Sequence, residues 1–246
     1  MPFSALPERV AELHAKVEAA RVRGGHGQRV RIVAVTKTHG HEAVTAAVAA
    51  GLVDIGENKV QEAIGKQDAL GVLTGFSGGA LKGISGGEEV KGVRWHLIGH
   101  LQRNKVKFLD RFSLFHALDS ARLADEINAF GTKRGTPMDV LLEANVSGEG
   151  TKGGFSLETV RGEAERLAGF AGLTVRGVMT MAPFDADEAT LRRVFGGARE
   201  AREICVRAGL PAVELSMGMS GDYEVAVEEG ATMVRLGTTL FGERTQ

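Results

Sequence analysis

The chain has 246 residues, 43% of them hydrophobic and 25% charged, with a formal net charge of −1. That is an ordinary globular composition with enough apolar side chain for a sizeable core. Nothing in that charge balance points to a nucleic-acid or membrane-surface partner. The length suits one α/β barrel or two small domains.

The N-terminus, MPFSALPERV, has no basic stretch followed by an apolar run, and no window approaches eighteen consecutive apolar residues. No signal peptide, membrane contact or nucleic-acid partner is expected, and the expected location is cytoplasmic. Leu6, Val10, Leu13 and Val17 line one face of an opening helix. Eight short apolar runs follow: Arg31–Thr36, Val53–Gly56, Arg94–Gly99, Leu114–Leu118, Met138–Val146, Val175–Met181, Ala212–Met217 and Thr232–Leu236. Runs of this kind suit strands buried on both faces of a parallel sheet.

Amphipathic stretches alternate with them, at Glu42–Ala50, Lys59–Leu70, Arg103–Asp110, Ser120–Phe130, Leu157–Ala171, Ala186–Ala208 and Asp222–Glu229. Gly51, Gly131, Gly209 and Gly230 stand where helices should end. Cys205 shares an apolar helical stripe with Val194, Ala198 and Ala201, so it reads as a small core hydrophobe. Strand–helix alternation admits a closed barrel or an open doubly wound sheet. A count of eight with no strand outside the alternation favours one (β/α)₈ TIM barrel, a single domain over 1–246 with an extra N-terminal helix. Gly71–Gly92 holds eight glycines and reads as a flexible insertion within it, on the face away from the chemistry.

Reactive groups in such a barrel cluster at the C-terminal ends of the strands. The first strand ends in Thr36-Lys37-Thr38, which starts the Lys37 ammonium near the barrel mouth. Desolvation there would make it a nucleophilic amine; the plainer alternative is a lysine reaching solvent. Asn58, after the second strand, can hydrogen-bond a ligand or cap the next helix. His96, between Trp95 and Leu97, reads more as core than as a base, and Glu57 as a residue closing a loop.

The strongest local signal is late in the chain. Met217-Gly218-Met219-Ser220-Gly221-Asp222 follows the seventh strand, and Arg235-Leu236-Gly237-Thr238-Thr239 spans the end of the eighth. Loops in these two places often hold phosphate, with small residues letting the backbone approach and Ser220 and Thr238 adding hydroxyls. The alternative is a pair of ordinary turns and helix caps. Lys152, among the glycines of the loop after the fifth strand, is a second candidate amine or a solvated loop lysine.

Together the segments AVTKTHG (34–40), GENKVQEA (56–63), WHLIGHLQRNKVK (95–107), GTKGGF (150–155), RGVMTMAP (176–183), LSMGMSGDYEVAVEEG (215–230) and TMVRLGTTLFGER (232–244) resemble the family of pyridoxal 5′-phosphate (PLP) homeostasis proteins, whose barrel is like the N-terminal domain of alanine racemase. The resemblance spans nearly the whole chain, in order, and is far more specific than a lone glycine motif. It implies PLP as cofactor, an aldimine on Lys37, Asn58 beside the ring, and Ser220, Gly237 and Thr238 on the phosphate. It makes Arg235 the partner of the pyridine nitrogen, where a guanidinium leaves that nitrogen unprotonated and the cofactor a weaker electron sink. His96, Met217, Met219 and Lys152 complete the expected cofactor set, and no metal is expected. His100 departs from the family pattern, standing where proline often occurs, and the glycine-rich insertion is longer than expected.

Three functions compete: a PLP carrier or buffer, a PLP-dependent amino-acid racemase, and a cofactor-free Schiff-base lyase. A racemase calls for a second β-rich domain and an opposing acid, commonly tyrosine; the residues end soon after the eighth strand, and Tyr223 lies on a predicted helix. A lyase calls for a lysine at the sixth strand, which ends in Met179-Thr180-Met181. The carrier is the expectation, without evident catalysis of its own, with apo PLP-dependent enzymes as recipients and a monomer as the default state.

Overall fold

The structure, a computed structural model, describes residues 3–74, 92–146 and 153–242. Eight parallel strands close in sequence order: β1 (Arg31–Val35), β2 (Asp54–Glu57), β3 (Arg94–Leu97), β4 (Leu114–Leu118), β5 (Met138–Glu143), β6 (Leu173–Met179), β7 (Glu214–Ser216) and β8 (Met233–Leu236). Pairing of Arg31 with Met233 and Ala34 with Leu236 seals the cylinder. The closed alternative expected from the strand count is the one adopted. Closure removes both sheet edges, which an open sheet would leave to be covered.

Helices form the outer ring: α1 (Leu6–Gly24), α2 (His41–Ala49), α3 (Val60–Thr74), a 3₁₀ helix (Arg103–Arg111), α4 (Ala121–Arg134), α5 (Leu157–Ala168), α6 (Glu188–Arg207), α7 (Tyr223–Glu228) and α8 (Thr238–Phe241). The extra helix α1 buries Leu6, Val10, Leu13, Val17 and Ala20, and packs on α7 and α8. Each of the leucines and valines contributes about 1.5–3 kcal/mol when fully buried. Arg23 of α1 also pairs with Glu224 and Glu228 of α7. Cys205 is fully buried on α6, and desolvation pushes its thiol up to about 11.

Three boundaries differ from expectation. Gly131 lies inside α4 rather than ending it, and the left-handed cap is Gly135, at φ 73°. The reason is packing: a Cβ on Gly131 would sit 1.8 Å from the Gly172 carbonyl oxygen, so a glycine is needed for α4 to lie against the start of β6. The stretch at Arg103 is 3₁₀, not α. Helix α3 continues to Thr74, past Leu70; residues 75–91 of the glycine-rich segment lie outside the described residues. Among the described residues no helix is long and apolar enough to cross a membrane.

The lumen is unusual for such barrels, which are commonly filled by layers of branched apolar side chains. Here buried Asp54, His96, His116, Ser216 and Arg235 run through it as a bonded polar column. The column ends at the C-terminal mouth of the barrel.

Candidate functional site

A cavity of about 1050 Å³ opens at that mouth. Lys37, Asn58, Met219, Ser220, Arg235, Gly237 and Thr238 all line it, so the barrel brings together residues from the ends of β1, β2, β7 and β8. Two expected residues are elsewhere. His96 points into the lumen below the cavity, bonded to Asp54 through Nε2 (2.8 Å) and to His116 through Nδ1 (2.9 Å). Met217 is fully buried ahead of the loop that carries Ser220. The alternation of strand residues accounts for His96: positions two apart share a face, and Ile98, two residues on, lines the cavity in its place. Lys152 lies outside the described residues.

Lys37 leaves β1 in a four-residue turn. The His39 N–H donates to the Thr36 carbonyl (3.1 Å), and Thr38 has φ 68°. Positive φ at the third residue of a turn is a glycine or asparagine slot, and a β-branched residue there is strained. Thr36 is fully buried and its hydroxyl donates to Glu57 Oε1. Glu57 is no loop closer: its carboxylate is buried against Lys66 Nζ at 2.6 Å.

The two late loops are stitched together. The Ser220 hydroxyl accepts the Thr239 N–H (3.2 Å), which leaves its own hydrogen free to be donated into the cavity. The Arg235 N–H donates to Gly218 O (2.9 Å), and Asp222 Oδ1 accepts the Met219 N–H. Gly218, at φ 91°, has no room for a side chain: a Cβ would lie 2.6 Å from that of Ala226. Gly99 plays a similar part for Asn58, whose carbonyl oxygen would be 2.5 Å from an added Cβ.

Arg235 is buried, and desolvation pushes its guanidinium down to about 10, opposed by the carboxylates of Asp222 and Glu143. One arm donates to Ser216 O and Oγ (both 2.7 Å) and the other to Thr180 O (3.0 Å). Among the described residues no carboxylate forms an ion pair with it. A buried cation held only by neutral acceptors, beside a hydroxyl and two glycine turns, fits a ligand that carries an anion and a ring acceptor.

Residue patterns alone did not single out the acidic side of the cavity. Asp119 and Glu143 line it, with His100 Nδ1 held 2.8 Å from Asp119 Oδ2. Desolvation, with Asp119 nearby, raises the Glu143 carboxyl above its ordinary range. Both acids stand at or just past strand ends, so the rule that singled out Lys37 also applies to them. Exposed Phe184 and Met181 complete the rim.

A family profile described as alanine racemase, N-terminal domain, matches residues 10–245. The chain is 38% identical to the pyridoxal phosphate homeostasis protein of Aquifex aeolicus, over 96% of this chain and 97% of that one. It is 36% identical to the protein of that name from Pseudomonas aeruginosa, over 98% and 97%. PipY of Synechococcus elongatus, solved with PLP bound, is 33% identical and superposes with a TM-score of 0.78 over 96% of this chain and 100% of PipY. Alanine racemase from Corynebacterium glutamicum shares the fold alone, at 17% identity and a TM-score of 0.67, this chain covering 62% of its length.

Proposed function

This chain belongs to the family of pyridoxal phosphate homeostasis proteins, and on that premise we propose that it holds PLP reversibly as a Schiff base on Lys37 and so buffers the free cofactor. The observation that carries the reading is the convergence of one amine, two hydroxyls beside glycine turns and one buried guanidinium on a single cavity. The bound cofactor supplies an aldehyde that condenses with a primary amine. Lys37 provides that amine at the end of β1. Ser220, Gly237 and Thr238 would hold the phosphate, Arg235 would donate to the ring nitrogen and Asn58 would stand beside the ring. A guanidinium in that place keeps the ring nitrogen unprotonated, which weakens electron withdrawal and suits holding over turnover.

The racemase alternative draws less support. Tyr223 is buried at the start of α7 with its hydroxyl toward Glu224, and it does not line the cavity. Under the carrier reading the protein is a cytoplasmic monomer whose recipients are apo PLP-dependent enzymes, with release by hydrolysis or by exchange with an incoming amine.

A visible spectrum tests the assignment. Protein mixed with PLP should absorb as an imine, and Lys37→Ala should abolish the band. Borohydride should then fix the pyridoxyl group to Lys37. Label on another residue, or α-proton exchange on free amino acids at enzymatic rates, would overturn the reading.

A further inference from the structure

We propose that Lys66 and Glu62 of α3 are positioning residues that clamp the turn on both sides of Lys37 and so aim its amine. The inference rests on the reading of Lys37 as the PLP amine. Lys66 is almost wholly buried, and its ammonium has three hydrogens to place. They go to the Thr36 carbonyl (2.7 Å), Glu57 Oε1 (2.6 Å) and Glu62 Oε1 (2.8 Å). The same Glu62 oxygen accepts the Thr38 N–H at 2.5 Å. Lys37 is thus bracketed: the carbonyl before it and the amide after it are both tied to one face of α3, where positions four apart in sequence are neighbours.

The arrangement answers a local difficulty. Thr38 holds a left-handed conformation that its side chain disfavours, and such strain persists only where surroundings over-determine it. A buried ion pair is by itself weak evidence for stability, since an apolar pair of similar volume often does as well. An apolar side chain at residue 66 could not cap Thr36 O, nor could one at residue 62 take the Thr38 N–H. The Lys66–Glu62 pair therefore specifies the geometry of the turn. Hydrogen bonds from Lys66 and from the Thr38 N–H hold the Glu62 carboxyl below its ordinary range against desolvation, so it accepts as an anion at neutral pH.

The test compares PLP with pyridoxine 5′-phosphate, which has the phosphate and ring but no aldehyde. Glu62→Ala should weaken PLP binding by about tenfold or more, a misaimed amine being the kind of displacement that costs one to two orders of magnitude. It should leave pyridoxine 5′-phosphate binding within about twofold, since only Lys37 is displaced. Glu62→Gln, which keeps an oxygen for the Thr38 N–H, should recover most of the PLP affinity. Thr38 amide hydrogen exchange in ligand-free protein should speed up in the alanine variant and not in the glutamine one. Both substitutions leave the buried Lys66–Glu57 pair in place, so the comparison needs no change in the core. Unchanged PLP affinity in Glu62→Ala, or equal loss of both ligands, would overturn the clamp. If Lys37→Ala itself binds PLP as wild type does, the Lys37 assignment fails instead.

Discussion

His116 Nδ1 lies 2.9 Å from Ser216 Oγ, a bond that crosses the lumen from β4 to β7. The bond joins the cavity guanidinium to the two imidazoles. Arg235 can only donate, so Ser216 Oγ accepts from it. Burial, with His96 and the Arg235 charge adding, drives His116 well below its ordinary pKa, so the ring is neutral and carries a single hydrogen. Its Nε2 lies 2.9 Å from His96 Nδ1, and His96 Nε2 lies 2.8 Å from Asp54 Oδ1. An unbroken chain of hydrogen bonds thus links the cavity guanidinium to a buried carboxylate.

The His116 imidazole should therefore be neutral, which ¹⁵N chemical shifts of the ligand-free protein can read. Ser216→Ala removes one acceptor from Arg235 and strands His116 Nδ1. An unsatisfied buried polar group costs about 1–3 kcal/mol, and denaturant unfolding should show a loss of that order. A shift pattern with His116 protonated on both nitrogens would refute its neutral state.

The same ring makes stability depend on pH. A histidine whose folded pKa is depressed is neutral in the native state while the unfolded chain takes up a proton below 6.5. The unfolded state then binds more protons, so stability is full above 6.5 and falls as pH drops through that value. The slope approaches about 1.4 kcal/mol per unit for one group. His116→Gln should flatten the stability curve between about pH 6.5 and 5. Asp54, held low by its bonds to His96 and Arg94 despite desolvation, contributes only in a more acid window, below its ordinary 3.8.

Much of this was legible in the residues. The eight apolar runs match the eight strands because strands buried on both faces leave an unambiguous mark. Lys37, Ser220 and Arg235 could be put at the mouth because strand ends fix position in a barrel. The lumen was not legible: His96 and His116 sit on different strands, and their pairing with Ser216 depends on closure. Lys66 was equally hidden, since a buried lysine on an amphipathic helix looks like any solvated one. Gly131 misled because glycine marks close approach as well as helix ends.

Glycines at Gly218 and Gly209 separate two kinds of strain. Both have positive φ, 91° and 87°, but a Cβ on Gly209 meets nothing within 4 Å while one on Gly218 runs into Ala226. Gly209→Ala should lose about 1 kcal/mol from backbone conformation alone. Gly218→Ala should lose more and also weaken binding of a phosphate-bearing ligand, because relief of the clash moves the loop that carries Ser220. Calorimetric unfolding and titration with pyridoxine 5′-phosphate would read the two effects; equal behaviour of the two variants would refute the distinction.

Lys66 and Glu57 should behave as an energetically coupled pair. Desolvation already raises the Glu57 carboxyl above its ordinary range, with Lys66 and the Thr36 hydroxyl pulling it back. One of its oxygens, Oε2, is buried and has no hydrogen-bond partner among the described residues. Lys66→Met leaves that carboxylate without its cation, and breaking a buried pair on one side typically costs about 3–5 kcal/mol. Adding Glu57→Gln removes the stranded charge, so the double variant should be more stable than Lys66→Met alone. Denaturant midpoints of the two single variants and the double one give the coupling. A double variant no more stable than the single one would mean that Lys66 matters through the Thr36 carbonyl and Glu62 rather than through Glu57.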